Sequence, residues 1–139
     1  MSFDDTPLMP VVFVGHGTPM NAIEDNEFVH EWNRLGSELP KPRAILCISA
    51  HWETRGTFVT AMDMPKTIHD FYGFPRELYN QRYAAPGSQD LSTIVKDHVK
   101  AVGLDYEWGL DHGSWSVLKH IYPLADVPVV QLSIDHFKG

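Results

Sequence analysis

Several features that would assign this sequence to a compartment or a class are scarce or missing. There is a single cysteine, Cys47, in 139 residues, which excludes an internal disulfide framework and is typical of a reducing compartment. No apolar run approaches the roughly 18 residues that a membrane-spanning helix needs. The N-terminus carries neither the basic region nor the apolar stretch of a signal peptide. We therefore expect a cytoplasmic protein with no membrane association.

Positive charge is also scarce. Lys and Arg together number 11 against 18 Asp and Glu, which gives a formal net charge of −7. The basic residues are scattered, so no cluster could neutralise a row of phosphates, and nucleic acid is not expected as a partner. The 43% hydrophobic and 21% charged residues are ordinary for a globular protein. The length predicts a single domain that spans residues 1–139.

Common signatures of nucleotide binding and nucleophilic catalysis are missing. There is no phosphate-binding loop of the Walker type, and the Gly15-His16-Gly17 segment lacks the third glycine of a dinucleotide-binding fingerprint. No Gly-x-Ser-x-Gly elbow occurs either. Because Cys47 lies in the middle of a predicted strand, it is expected to be a small core residue rather than a nucleophile.

The hydrophobic pattern predicts an α/β fold. β-branched runs indicate buried strands at residues 11–14, 44–49 and 127–134, with a weaker candidate at 58–60. Helical stripes lie between them, at residues 28–39 with Asp25 as N-cap, at 91–102 with Ser88 as N-cap and Gly103 after the C-terminus, and at 114–122. This alternation predicts a mostly parallel sheet with helices on both faces. The aromatic segment 62–87 has no clear period and is expected to be an ordered, functional loop.

Histidine is abundant, with eight residues, and the placement of three of them is informative. His16 follows the first predicted strand, His51 the second and His136 the third. The carboxyl ends of parallel strands meet at one edge of a sheet, which is where α/β proteins bind ligands. Neutral imidazoles suit Fe, Zn and related divalent metals, so His16 and His51 are candidate metal ligands. The alternative for each is a turn or capping residue with no ligand.

Other histidines permit several interpretations. His112 precedes a predicted helix and could exchange a proton with a substrate, or the segment could simply cap that helix. His69 lies in the aromatic loop and has no special claim on its own. His30, His98 and His120 fall inside predicted helices and are expected on solvated or half-buried faces. These patterns alone do not choose a reaction.

The sequence resembles a known family in six segments that follow the family's order and cover nearly the whole chain. They are Gly15-His16-Gly17-Thr18-Pro19-Met20, Ser49-Ala50-His51-Trp52, Thr67-Ile68-His69-Asp70-Phe71-Tyr72-Gly73-Phe74-Pro75, Tyr83-Ala84-Ala85-Pro86-Gly87, Asp111-His112-Gly113-Ser114-Trp115 and Pro128-Val129-Val130-Gln131-Leu132-Ser133-Ile134. The family is that of the class III extradiol dioxygenases, of the 4,5-DOPA dioxygenase type.

The resemblance implies a reaction and a site. Such enzymes use one divalent metal ion, here Fe(II) or Zn(II), to open the ring of a catechol-type substrate such as DOPA with dioxygen. It implies that His16 and His51 bind the metal, that His112 acts as a catalytic residue, and that His69 lies near the substrate. The family's proteins continue for about as many residues again, and that later half supplies a further ligand and a catalytic histidine.

This departure from the family leaves alternatives open. We expect a fragment, a truncated product or a shortened homologue, with reduced activity or as a non-catalytic protein that retains the metal. A chelatase-like protein is a third possibility, because chelatases carry a similar Gly-His-Gly turn. The strand at residues 129–134 would then expose an unpaired edge, which predicts a homo-oligomer. His136 could stand in as a third ligand, although a frayed terminal residue is the simpler expectation.

Overall fold

A computed structural model of the protein describes residues 7–138 of the chain. Within this range the strands are β1 (Ile45–Thr54), β2 (Thr57–Thr60), β3 (Lys66–Thr67), β4 (Val102–Asp105), β5 (Gly109–Leu110) and β6 (Val129–Asp135). The α-helices of the same range are α1 (Glu27–Glu38), α2 (Arg76–Tyr79), α3 (Gln89–His98) and α4 (His112–Ile121), and a short 3₁₀ helix spans Pro19–Ala22.

The main sheet has four strands in the order β1-β6-β2-β4. β1 pairs with β6 in parallel, and β2 pairs with β4 in parallel, whereas β2 and β6 meet antiparallel at Val59 and Leu132. β3 and β5 form a separate parallel pair. The sheet is therefore mostly parallel, as predicted.

Helices cover both faces of the main sheet. On one face, Trp115 and Leu118 of α4 pack in a cluster with Val129 of β6 and Ile45 of β1, and α1 packs behind α4. On the other face, Val95 of α3 packs against β2, β4 and β6. Because neighbouring residues of a strand point to opposite faces, each strand contributes to two apolar layers. The predicted fold class is confirmed.

Polar caps determine where the two longer predicted helices begin. The Asn26 side chain accepts a hydrogen bond from the Val29 backbone N–H at 3.1 Å, so the N-cap of α1 is Asn26 and not the predicted Asp25. The predicted Ser88 cap of α3 is confirmed by a 3.1 Å bond from the Leu91 N–H. Gly103, predicted to close that helix, instead lies within β4.

The predicted first strand at residues 11–14 is wrong. The segment before the 3₁₀ helix forms no strand pairing within the described chain, and the side chains of Val11 and Phe13 are fully exposed. Only Val14 packs onto the core, beside Val29 and Trp32. A β-branched run becomes a strand only when another strand offers it backbone partners, and none does so within residues 7–138.

The sequence predicts the wrong strand at the exposed edge of the sheet. β6 is paired on both sides, so the predicted unpaired edge at residues 129–134 is wrong. β1 is an edge strand instead, because it pairs only with β6 within the described residues. Its outward side chains Leu46 and Ile48 are 43% and 60% exposed. They continue the α3 face of the sheet, since Leu46 pairs with Val130 and Ile48 with Leu132.

Candidate metal centre

Three imidazoles from distant parts of the chain converge at one point. His16 comes from the segment before the 3₁₀ helix, His51 from β1, and His112 is the first residue of α4. The ring centroids of His51 and His112 are 4.1 Å apart, those of His16 and His51 4.9 Å, and those of His16 and His112 5.2 Å. One possible ligand atom from each ring lies within 4.8 Å of the other two.

His16 is held by the turn that follows it. Gly17 adopts φ +65°, a left-handed conformation that favours glycine, and the Asn21 amide donates a 3.0 Å hydrogen bond to the His16 carbonyl. The Nδ1 atom of His16 is buried without a hydrogen-bond partner within residues 7–138. Its Nε2 atom lies 2.9 Å from Nε2 of His51. Desolvation, followed by the nearby His112 and His51, lowers the pKa of His16 and favours the neutral imidazole.

His51 occupies an irregular stretch of β1. The register with β6 shifts between Ile48 and Glu53, and such irregularities re-aim side chains. The His51 backbone N–H donates to Ser49 Oγ at 3.2 Å. The next residue, Trp52, is buried and stacks on Trp108 with a centroid distance of 5.5 Å. His51 itself is exposed, so the imidazole cluster opens to solvent on this side.

His112 is the most buried of the three, with a side chain 6% exposed. Its backbone N–H donates to Asp70 Oδ1 at 2.9 Å, and the same oxygen lies 2.9 Å from the ring Nδ1. Burial would raise the pKa of Asp70, but hydrogen bonds and the charge of His112 outweigh it and lower that pKa. Asp70 could not be recognised from the sequence, because a loop carboxylate gives no local signal of a partner 42 residues away.

A buried polar network lies behind the histidines. The Asp111 side chain is fully buried and accepts hydrogen bonds from Ser49 Oγ at 2.7 Å and from Gln131 Nε2 at 3.0 Å. Gln131 also accepts from the Asp111 backbone N–H at 3.0 Å. Asp111 is the N-cap residue of α4, yet its side chain makes no cap bond. The network fixes the backbone next to His112 and the serine two residues before His51.

His69, expected near the substrate, is not among the three clustered imidazoles. Its Nε2 lies 2.8 Å from the Gln81 carbonyl, and its ring meets Trp115 edge-on at 5.7 Å. Its neighbour Phe71 makes the link to the site, because the Phe71 ring contacts both His69 and His112, at 6.0 and 5.7 Å. The aromatic loop is ordered, as predicted, and it carries the short elements β3 and α2.

The remaining histidines lie outside the cluster. His136 follows β6, and its exposed ring contacts Glu53 with 3.0 Å between Nδ1 and Oε2, so it does not join the three imidazoles. His30, His98 and His120 lie in helices, as expected, and each bonds a neighbouring group: Asp25, the Ile94 carbonyl and the Asn21 carbonyl respectively.

The donor set fits a divalent metal ion. Imidazole nitrogens are common ligands of zinc and iron, and they bind in the neutral form, which desolvation favours at His16. His16 Nδ1 has no protein partner, and the facing Nε2 atoms of His16 and His51 can form at most one hydrogen bond between them. The facing imidazoles of His16 and His51 are therefore better satisfied by a shared cation than by each other.

The fold and the histidine cluster agree with a comparison against protein families. Residues 7–137 match the family described as the catalytic LigB subunit of aromatic ring-opening dioxygenase. The chain belongs to this family, and the resemblance found in the sequence is confirmed.

The names of the similar proteins describe the same type of reaction. The chain is 56% identical over 133 residues to 4,5-DOPA dioxygenase extradiol of Escherichia coli K12, across 94% of this chain and 49% of that protein. It is 46% identical to the enzyme of the same name from Beta vulgaris, across 91% of this chain and 51% of that protein. The chain thus spans about half the length of these curated relatives.

A solved structure supports the fold. A crystal structure of an uncharacterized protein from Escherichia coli K12 superposes with a TM-score of 0.69 at 48% identity, across 87% of this chain and 46% of the other. The comparisons do not favour the chelatase-like alternative or the non-catalytic one. Among the described residues, no helix is long and apolar enough to cross a membrane.

Proposed function

We propose that His16 and His51 bind one divalent metal ion, Fe(II) or Zn(II). The observation that carries this proposal is the convergence of the two Nε2 atoms to 2.9 Å beside a third imidazole. Both residues come from segments without regular pairing, where the left-handed Gly17 turn and the β1 irregularity aim the side chains toward each other. Backbone irregularities of this kind are frequent next to functional sites.

We further propose that the metal centre serves extradiol ring opening of a catechol-type substrate, such as DOPA, with dioxygen. When bound, the metal would supply positive charge that favours the ionised substrate and would bring the two reactants together. This proposal rests on family membership and on the names of the relatives, and it concerns an activity that longer proteins carry.

His112 is proposed as the acid–base residue beside the metal rather than as a ligand. Its ring is buried within contact of both His16 and His51, so a group bound at the metal would lie within reach of a proton transfer. His112 is the first residue of α4, so the start of this helix fixes the position of the ring beside the proposed metal site.

His69 is proposed to contribute to substrate binding from the aromatic loop. Its ring packs on Phe71, and Phe71 in turn faces His112. The aromatic side chains of this loop provide an apolar surface on which a planar ring can stack. Replacing His69 with Ala should therefore raise KM for a catechol more than it lowers kcat.

Metal content tests the ligand assignment. His16→Ala and His51→Ala should each lose most of the bound Zn(II) or Fe(II), whereas His98→Ala is the matched control because His98 bonds its own helix far from the cluster. His112→Ala should retain metal if it is an acid–base residue. Equal metal content in the His16, His51 and His98 variants would contradict the metal site, and a large loss in His112→Ala would make it a ligand.

Catalysis is tested separately. The Fe(II)-loaded protein should consume dioxygen and form a coloured product when a catechol such as DOPA is added, and His112→Ala should abolish turnover while metal stays bound. Metal binding without any turnover would instead support the non-catalytic alternative. Because metal content and oxygen uptake are measured independently, the two parts of the proposal can fail separately.

We also propose that the chain forms a homo-oligomer through the edge of β1. Within residues 7–138 no strand pairs with the outer edge of β1, which lies next to the exposed side chains Leu46 and Ile48, and open edges of this kind recruit further strands. Sedimentation should show a dimer or larger species that Ile48→Asp weakens. Leu124→Asp is the control, since Leu124 is equally apolar and 81% exposed outside the sheet. A wild-type monomer at micromolar concentration would contradict this proposal.

A cytoplasmic location is proposed on the sequence alone. The chain has one cysteine, which lies half-buried within β1, and reducing compartments favour such sparse cysteine usage. Cell fractionation would test the location, and recovery of the protein in a secreted or membrane fraction would contradict it.

A further inference from the structure

Asp70 places a carboxylate beside the histidine cluster, and it comes from a segment that supplies none of the three imidazoles. Asp70 lies in the aromatic loop between β3 and α2, and its side chain is 22% exposed. Its Oδ1 atom lies 2.9 Å from the His112 backbone nitrogen and 2.9 Å from the His112 ring Nδ1. A single oxygen therefore contacts both the main chain and the ring of the same residue.

Asp70 supplies the side-chain cap that the N-cap residue of α4 does not provide. The N-cap residue Asp111 makes no side-chain cap bond, because Ser49 and Gln131 already use both of its carboxylate oxygens. The first backbone N–H of the helix is satisfied from the loop by Asp70 instead. A negative charge is favourable at this end of a helix, so the contact also anchors the loop.

The ring contact has a chemical consequence. A neutral imidazole carries its proton on one nitrogen only, and the partner of that nitrogen selects the tautomer. A carboxylate acts only as an acceptor, so it favours a proton on Nδ1 and leaves Nε2 with its lone pair free. The 2.9 Å contact at Nδ1 does not meet the geometry of a hydrogen bond in this structure, and catalytic hydrogen bonds are often poorly aligned until a substrate binds.

From this geometry we propose that Asp70 is a positioning residue that holds His112 in the Nδ1–H tautomer with Nε2 available to the cluster. This inference rests on the proposed role of His112 as the acid–base residue. The rings of His51, His16 and Phe71 also lie close to the His112 ring, at 4.1, 5.2 and 5.7 Å. Within the described chain, Asp70 is the one carboxylate that contacts this ring.

A cap that only stabilises the helix is the competing explanation, and α3 offers a matched control. Ser88 caps α3 by accepting the Leu91 N–H, on the opposite face of the sheet. Asp70→Ala and Ser88→Ala should both lower the melting temperature by a few degrees, because each removes one cap. Only Asp70→Ala should alter His112. Asp70→Asn retains an acceptor oxygen without the charge and should behave between Asp70→Ala and the wild type.

The decisive readout is the ¹⁵N NMR spectrum of the neutral His112 ring in metal-free protein. The wild type and Ser88→Ala should show one Nδ1–H tautomer, and Asp70→Ala should show a mixture. In the Fe(II)-loaded protein, Asp70→Ala should lower kcat for a catechol by roughly 10- to 100-fold with little change in KM, on the scale of the loss when the hydrogen-bond partner of a metal-binding histidine is removed.

Two results would overturn the inference. One is an Asp70→Ala spectrum in which His112 keeps the wild-type tautomer, and the other is a wild-type ring that is not in the Nδ1–H form. The tautomer is measured without metal or turnover, so a wild-type protein that cleaves no catechol would remove the proposed function while the spectrum still decides the role of Asp70.

Discussion

Gly113→Ala adds a single methyl group beside the histidine cluster, and the structure predicts what it would meet. A Cβ atom at this position would lie 2.6 Å from Ser49 Oγ, 2.9 Å from His51 Cδ2 and 3.1 Å from Asp111 Oδ1. The first two distances are below any normal van der Waals contact, and neither Ser49 nor Asp111 can retreat without breaking the hydrogen bond that joins them. His51 is the neighbour that is free to move, because its ring is exposed.

The expected magnitude is a balance of two effects. Alanine is better than glycine inside a helix by about 1 kcal/mol, whereas overpacking a filled site costs about 1–3 kcal/mol. The net change should be a loss of about 1 kcal/mol in the free energy of unfolding, or roughly 4 °C in melting temperature. Displacement of His51 should weaken Zn(II) binding by roughly 10-fold or more, as for other changes around metal ligands.

Calorimetry with Zn(II) and thermal unfolding measure the two effects. Gly15→Ala is the matched control, because it is the same substitution next to His16 and its Cβ would meet no atom within 4 Å. That variant should retain wild-type stability and affinity. If Gly113→Ala binds Zn(II) as tightly as Gly15→Ala does, the packing around His51 does not determine the affinity for the metal.

Other predictions concern the turn, the buried network and acid stability. Gly17→Ala should lose about 1–2 kcal/mol of stability in urea unfolding, because a left-handed residue with a Cβ is strained; wild-type stability would contradict that φ. Gln131→Leu should cost about 2–4 kcal/mol, since it leaves buried groups of Asp111 unpaired, and an unchanged unfolding midpoint would argue against the network. Desolvation lowers the pKa of His120, despite its bond to a backbone carbonyl. The unfolded state therefore binds this proton more readily, so stability should fall as pH decreases below about 6.5. That decline should be shallower in His120→Gln, and an identical decline would remove His120 as its cause.

Much of the fold followed from local pattern. The β-branched runs at residues 44–49 and 127–134 became β1 and β6, and Ser88 capped α3 as predicted. These features depend on neighbours in sequence, such as alternating side chains and a hydroxyl three residues before an N–H, and so a single sequence reveals them. His16 and His51 were chosen because both follow short hydrophobic runs, although only the run before His51 forms a strand.

Pairing and contacts between distant segments were decided only in three dimensions. The run at residues 11–14 has the composition of a strand but forms no ladder, while the predicted edge strand β6 lies inside the sheet. Composition indicates that a segment is able to form a strand. Whether it pairs, and with which strand, depends on the whole topology. β4 was missed because Gly103 suggested the end of a helix instead.

In the candidate site, too, some features could be predicted from the sequence and others depend on the tertiary structure. From the sequence, four histidines in separate motifs could be chosen as candidates, and the family resemblance gave His69 and His112 their roles. Only the folded chain brings His112 against His51, directs His136 to Glu53, and sets the carboxylate of Asp70 on the His112 ring. These contacts join residues dozens of positions apart, and their geometry depends on a sheet register and a helix start that no local pattern encodes. The sequence by itself determined which chemical groups the site could use, and the tertiary structure decided which of them meet.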